Sequence, residues 1–288
     1  MDTELLHKRI VYRVPGMEGI EVRRGLTYRH ADETDLLMDV YTPPGLPAGA
    51  RRPGAVFIHG GPIPADLRPA PTDWGVYRSY GELAAASDFV GATFNHRYHG
   101  WPQLDKAAGD IDAAIEYLRA RADSFHLDPD RLCLWVFSGG GRFLARALRD
   151  RPPFARCLVA YYAPLDLQHQ PGEAPVVPPE IVERFSPAAH LRDDESAGIP
   201  LFIARAGLDH PRLNASIDRF IARALAANAP LDVANHPRGR HGFDTLDDHP
   251  RTHEIIARTV AFINTHLEDD RPAGRDGGPQ PDESSSEG

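Results

Sequence analysis

A serine followed at once by three glycines, at the end of an apolar run, is the stretch of this sequence best suited to chemistry: Arg131-Leu-Cys-Leu-Trp-Val-Phe-Ser138-Gly139-Gly140-Gly141. A buried strand that turns directly into a helix needs small residues where the two nearly touch, because Cβ atoms would collide there. The residue at the corner is left exposed beside a helix N-terminus, whose free N–H groups favour negative charge. A serine so placed is set up to be a nucleophile. Two other readings fit this stretch taken alone, a dinucleotide-type phosphate turn and a simple tight connection. No Lys-Ser/Thr pair follows the glycines, so the P-loop form of the phosphate reading fails.

A serine that transfers acyl groups requires a base within hydrogen-bond reach, an acid to hold that base's tautomer, and donors aimed at the oxyanion. In an open α/β sheet these come from loops at the carboxyl ends of strands, which sorts the candidates. Of fourteen histidines, His241 lies in the glycine-flexed loop Arg238-Gly-Arg-His241-Gly-Phe-Asp244, after an apolar run at 231–234, and His236 is the runner-up. For the acid, Asp209 directly follows the run at 201–204, and Asp166, after 157–162, is the alternative. A purely structural role also fits Asp209, as the cap of a helix beginning near Pro211. His59-Gly60-Gly61-Pro62 follows the apolar run 54–59. Pro62 has no N–H, so Gly61 and Gly139 are the expected oxyanion donors, with His59, Gly60 and Gly140 in support. His249 and His253 are four apart, but no third ligand has a persuasive spacing, so no metal site is expected.

The elements that must position these residues follow from periodicity. Segments 21–28 and 36–41 alternate about the polar turn 31–34 and predict a hairpin. Apolar runs predict buried strands at 54–59, 131–137 and 157–162 and further strands at 89–94, 201–204 and 231–234, with Asp128-Pro-Asp-Arg131 as a turn. Helical spacing covers 76–87, 105–122, the segment from Phe143, 213–225 and 255–267. Strand and helix alternating after a hairpin predict a mostly parallel, doubly wound α/β sheet with helices on both faces. The domain is expected to span residues 1–268, with a Pro-rich, lid-like insertion at about 168–190. Residues 269–288 are expected to be a disordered acidic tail.

Residues 20–268 as a whole resemble the α/β-hydrolase superfamily. Ser138 and Gly140 match two positions of its Gly-x-Ser-x-Gly turn, with Val136 standing where the family has its first glycine. Val136 implies a slightly wider turn or a displaced helix. His59-Gly-Gly-Pro62 and Gly207-Leu-Asp209 resemble the dienelactone-hydrolase-like, carboxylesterase and prolyl-oligopeptidase-type members. The resemblance implies a serine hydrolase acting on a small-molecule carboxylic ester, without cofactor. Ser138 would be the nucleophile, His241 the general base and Asp209 its orienting acid, in the family's order Ser…Asp…His. A peptidase, a lactone or thioester hydrolase, and a catalytically silent binding protein of the same fold are the competing readings.

Bulk properties narrow the partners. Hydrophobic residues make up 42% and charged residues 25% of the 288, as in ordinary globular chains. The net charge of −9 argues against nucleic acid. From Glu268 to Gly288 seven acids face two arginines, so more than half of that charge says nothing about the substrate. Cys133 and Cys157 fall in apolar runs and read as small buried hydrophobes rather than a disulfide framework. The first residues lack an apolar signal region and no run approaches membrane-spanning length, so a cytoplasmic setting away from membranes is the expectation. Oligomeric state is open, with a homodimer among the options.

Overall fold

The structure, a computed structural model, describes residues 3–168, 177–192 and 198–268. The acidic segment 269–288 and much of the Pro-rich insertion, residues 169–176, lie outside the described residues. Eight strands form one sheet: β1 (Glu21–Ala31), β2 (Thr34–Thr42), β3 (Arg52–Ile58), β4 (Val90–Phe94), β5 (Leu127–Phe137), β6 (Ala155–Tyr161), β7 (Leu201–Ala206) and β8 (Leu231–His236). Their order is β1-β2-β4-β3-β5-β6-β7-β8. The first three in that order pair antiparallel, and every pair from β4 to β8 is parallel. The helices are α1 (Thr3–His7), α2 (Gly75–Ala86), α3 (Leu104–Ala120), α4 (Leu144–Asp150), α5 (Pro179–Phe185), α6 (Pro211–Ala226), α7 (Phe243–Leu246) and α8 (Pro250–Leu267).

Alternation along the central strands sorts side chains to the two faces. Val56, Ile58, Leu134 and Val136 join the core beneath α3, α4 and α6. Ala55, Phe57, Cys133, Trp135 and Phe137 join the core beneath α2 and α8. The two cysteines stand opposite each other on β5 and β6 as free, buried thiols. Asp32 and Glu33 take the left-handed conformation between β1 and β2, which gives the hairpin connection the twist its strands require. Among the described residues no helix is long and apolar enough to cross a membrane.

Two expected boundaries differ. Asp128–Arg131, read as a turn, runs as the irregular lead of β5: Arg52 pairs with Leu127 and Gly54 with Leu132, so the register slips between them. The helix after Ser138 does not begin as α-helix. Residues Ser138–Phe143 wind as a 3₁₀ helix before α4 takes over. Val136 itself lies inside β5, paired with Ile58 and Ala160, and is fully buried in the core. It therefore takes no space from the turn. The close approaches fall on Gly140, whose Cβ would stand 2.8 Å from the His59 carbonyl oxygen, and on Gly141, whose Cβ would meet Ala163 at 2.7 Å.

An N-terminal arm, unread in the sequence, crosses α2. Gly75 packs against the backbone of His7 and Lys8, where a Cβ would lie 2.3 Å from the His7 carbonyl oxygen. Ile10 N–H donates to Ser79 Oγ (3.0 Å) and Val11 N–H donates to the backbone carbonyl of Asp244 (2.8 Å). Leu6, Ile10 and Met17 are buried. On the opposite face α3 is tied down by Asp110, which is fully buried. It accepts from the Arg97 backbone N–H (3.1 Å) and, through both oxygens, from the Arg97 guanidinium (2.8 and 2.7 Å).

Candidate active site

Parallel strands β3, β5, β6, β7 and β8 send their carboxyl ends to one rim, and there the singled-out residues converge. Ser138 is the first residue past β5 and is held at φ 48°. A non-glycine residue in the left-handed region is strained, and such strain persists only where the surroundings over-determine it. Here the determinants are the sheet behind Ser138 and the glycines ahead of it. A Cβ on Gly139 would stand 1.9 Å from the Gly61 carbonyl oxygen, and one on Gly60 would stand 2.9 Å from Ser138 Cβ. The β3 loop and the β5 turn therefore touch backbone to backbone.

The next two contributors come as a tied pair. Gly207, where a Cβ would stand 2.5 Å from the Pro237 carbonyl oxygen, lets the loops after β7 and β8 close on each other. Gly207 N–H donates to His236 O (2.8 Å) and Leu208 N–H to Gly239 O (2.9 Å), extending the ladder past the strands. This brings Asp209 to His241. Asp209 Oδ2 lies 2.6 Å from His241 Nδ1, and His241 Nε2 lies 2.9 Å from Ser138 Oγ. The other Asp209 oxygen accepts the His210 N–H (2.7 Å). The helix cap, the alternative role for Asp209, is supplied by His210, whose Nδ1 accepts from the Arg212 N–H. Asp209's carboxylate is only 5% exposed, whereas the His241 ring is 43% exposed. The acid is thus shielded while the imidazole faces solvent.

The alternatives are placed elsewhere. His236 is buried and bonds Thr252 Oγ1 (3.1 Å). Asp166 pairs with Arg219 (2.9 Å) and accepts the Gln168 N–H (2.9 Å). His249 caps α8 through the Arg251 N–H, and His253 pairs with Asp248.

On the β3 loop, Gly60 N–H donates to Tyr77 Oη (3.2 Å) and Ile63 N–H to Tyr98 O (2.9 Å). Pro62 has no N–H, so of this loop's amides these bonds leave Gly61's. His59 is buried and lies flat on His96, with ring centroids 3.6 Å apart. Its Nε2 accepts the His96 N–H (3.2 Å), so Nδ1 carries the proton and donates to the Gly60 carbonyl (2.7 Å). Burial lowers the His59 pKa to about 4 and puts His96 well below its usual value. Two neutral imidazoles therefore brace the loop. Arg142 braces the other side: its Nε donates to Gly139 O (2.8 Å), and its guanidinium sits between the Tyr98 and Trp101 rings.

His96, Arg142, Tyr162 and Asp244 all shape the site and none is singled out by motif. His96 follows β4 at the same rim, just as His59 ends β3. That parallel placement is the signal by which it was readable. Asp244 stands three residues past His241, at a position where the sequence does not announce burial.

Comparison with known proteins adds the following. A family model described as BD-FAE matches residues 38–148. No curated protein matches the chain. Among solved structures, the chain is similar to the thermophilic esterase Est2 of the planctomycete Thermogutta terrifontis. In its native form the TM-score is 0.68 at 19% identity, covering 91% of this chain and 98% of that one. The butyrate-bound form gives 0.66 at 21%, covering 90% and 98%. The form phosphonylated by cyclosarin gives 0.67 at 19%, covering 90% and 100%.

Proposed function

This chain is an α/β-hydrolase by fold, and from that premise we propose that it is a serine hydrolase of carboxylic esters. The observation that carries the reading is the unbroken relay from Ser138 Oγ through His241 to Asp209, at 2.9 and 2.6 Å, built on a serine held in a strained backbone conformation. Asp209 accepts the Nδ1 proton, so His241 presents the Nε2 lone pair to the Ser138 hydroxyl. His241 takes that proton as Oγ attacks the carbonyl carbon. The resulting oxyanion is received by the N–H groups of Gly61 and Gly139. His241 then gives its proton to the departing alcohol, leaving an acyl group on Ser138. Water, deprotonated by His241, attacks this acyl-enzyme, and Ser138 recovers its proton as the acid leaves.

Two features of the comparison structures fit this reading. Est2 has been captured with butyrate and with propionate, and it is phosphonylated or phosphorylated by organophosphates. We infer short-chain acyl esters as the substrate class. Treatment with a fluorophosphonate probe is expected to label Ser138 stoichiometrically. Ser138→Ala should abolish labelling, and Asp209→Asn should lower kcat against nitrophenyl esters by about 10³-fold or more. Folded protein that takes up no label would refute the assignment.

A further inference from the structure

Asp244 is a buried carboxyl group that the relay does not use. It is fully buried, sits in α7 three residues past His241, and has no cationic partner among the described residues. Two phenols donate to it instead, Tyr80 (2.7 Å) and Tyr162 (2.8 Å). Tyr162, the residue after β6, is held at φ 37°, and its ring lies 4.7 Å from the His241 imidazole at an interplanar angle of 60°. We propose that Asp244 is a positioning residue for His241: through Tyr162 it sets the orientation of the imidazole and favours its protonated form.

A carboxylate buried without a cation costs stability, because desolvation outweighs what two neutral donors return. Burial is the largest influence on Asp244 and pushes its pKa up. An asparagine could bridge the same two phenols without that cost. The charge therefore has a use only if something nearby becomes positive. Among the described residues, His241, whose ring lies against Tyr162, does so each time it removes the Ser138 proton. Its ring is met by Asp209 from the end of β7, Ser138 from β5 and Tyr162 from β6, with Asp244 of α7 behind the Tyr162 hydroxyl. On its own loop, Arg240 is occupied by Asp247. A phenol whose hydroxyl donates to a carboxylate has a more electron-rich ring, and an electron-rich face attracts a cation packed against it.

The reaction-side consequence rests on His241 being the base, but the charge coupling does not. The test uses the full chain with Asp244→Asn and Tyr162→Phe. Protonation of the His241 ring is followed by NMR, with kcat, KM and thermal midpoint measured in parallel. In Asp244→Asn the proton affinity of His241 should fall about three- to tenfold. The acid limb of kcat/KM should move to lower pH, and kcat should drop with little change in KM. The thermal midpoint should hold or rise, since a desolvated charge has been removed. Tyr162→Phe keeps the ring against His241 and cuts the link, so it should reproduce part of the NMR shift even if Asp244→Asn folds poorly. A His241 titration unchanged in both variants would overturn the proposal. A wild-type protein that the fluorophosphonate does not label would overturn the hydrolase reading instead, and the NMR shift would still decide this one.

Discussion

His59 illustrates how one side chain links site geometry to acid stability. Its ring must stay neutral, because Nε2 accepts the His96 N–H and there is no solvent to carry a second proton's charge. Its pKa is about 4 in the fold against 6.5 when exposed. Between those values the unfolded chain binds more protons than the folded one, so stability is complete above pH 6.5 and is lost as the pH falls towards 4. The loss reaches about 3 kcal/mol at most, and His96 adds to it in the same direction. Urea melts at pH 7 and pH 4.5 should show this loss, and His59→Asn should flatten it, since the amide can still donate to Gly60 O without titrating. At this scale the sequence is readable where type and place coincide. Ser138 and Asp209 closely follow buried strands and His241 follows the edge strand β8, all at one rim, and each could be picked out on that ground. His96 could be found only through its parallel to His59, just past β4, and Asp244 not at all, because what distinguishes it is burial and partners far away in the chain. Neither property is written in a histidine or an aspartate as such.

Elements carry the next level, and α3 depends on a single carboxylate. Asp110 joins this helix to Arg97 and, at 3.2 Å, to Arg29 of β1. Arg97 belongs to the loop that presents Tyr98, which packs against Gly61 and Arg142. Asp110→Ala removes three hydrogen bonds to Arg97 and leaves it only its exposed partner Asp32, so it should destabilise by about 2–3 kcal/mol in a denaturant melt. Activity should fall further than stability alone dictates, because the loop behind Gly61 loses its anchor. The long elements were legible because the solvent enforces their periodicities: two for strands with one kind of neighbour on each face, nearly four for α3, α6 and α8. The 3₁₀ turn at Ser138–Phe143 and the four residues of α7 were not. Both are too short for a period to register; the first owes its shape to glycine contacts with other loops, the second to Gly242 in the left-handed conformation before it.

The molecule as a whole closes its site with distant parts of the chain. The arm at residues 3–17 lies over α2 and grips α7 by the Val11–Asp244 backbone bond. Deleting residues 3–14 should leave the sheet folded, as judged by circular dichroism. It should slow fluorophosphonate labelling of Ser138 about tenfold, because α7 and the loop before it lose their brace. The mostly parallel sheet was open to inference from the alternation of strand and helix, whereas its strand order and this arm were not: the arm's apolar residues are too few to form a pattern and gain meaning only from the groove they fill. Its attachment has a consequence for synthesis. On the proposed relay, Ser138, Asp209 and His241 must all be present and docked before the hydroxyl is activated, and the arm then steadies the loop that carries the imidazole. A growing polypeptide that has passed the serine but not the imidazole therefore lacks the proposed relay, which is completed in one late step.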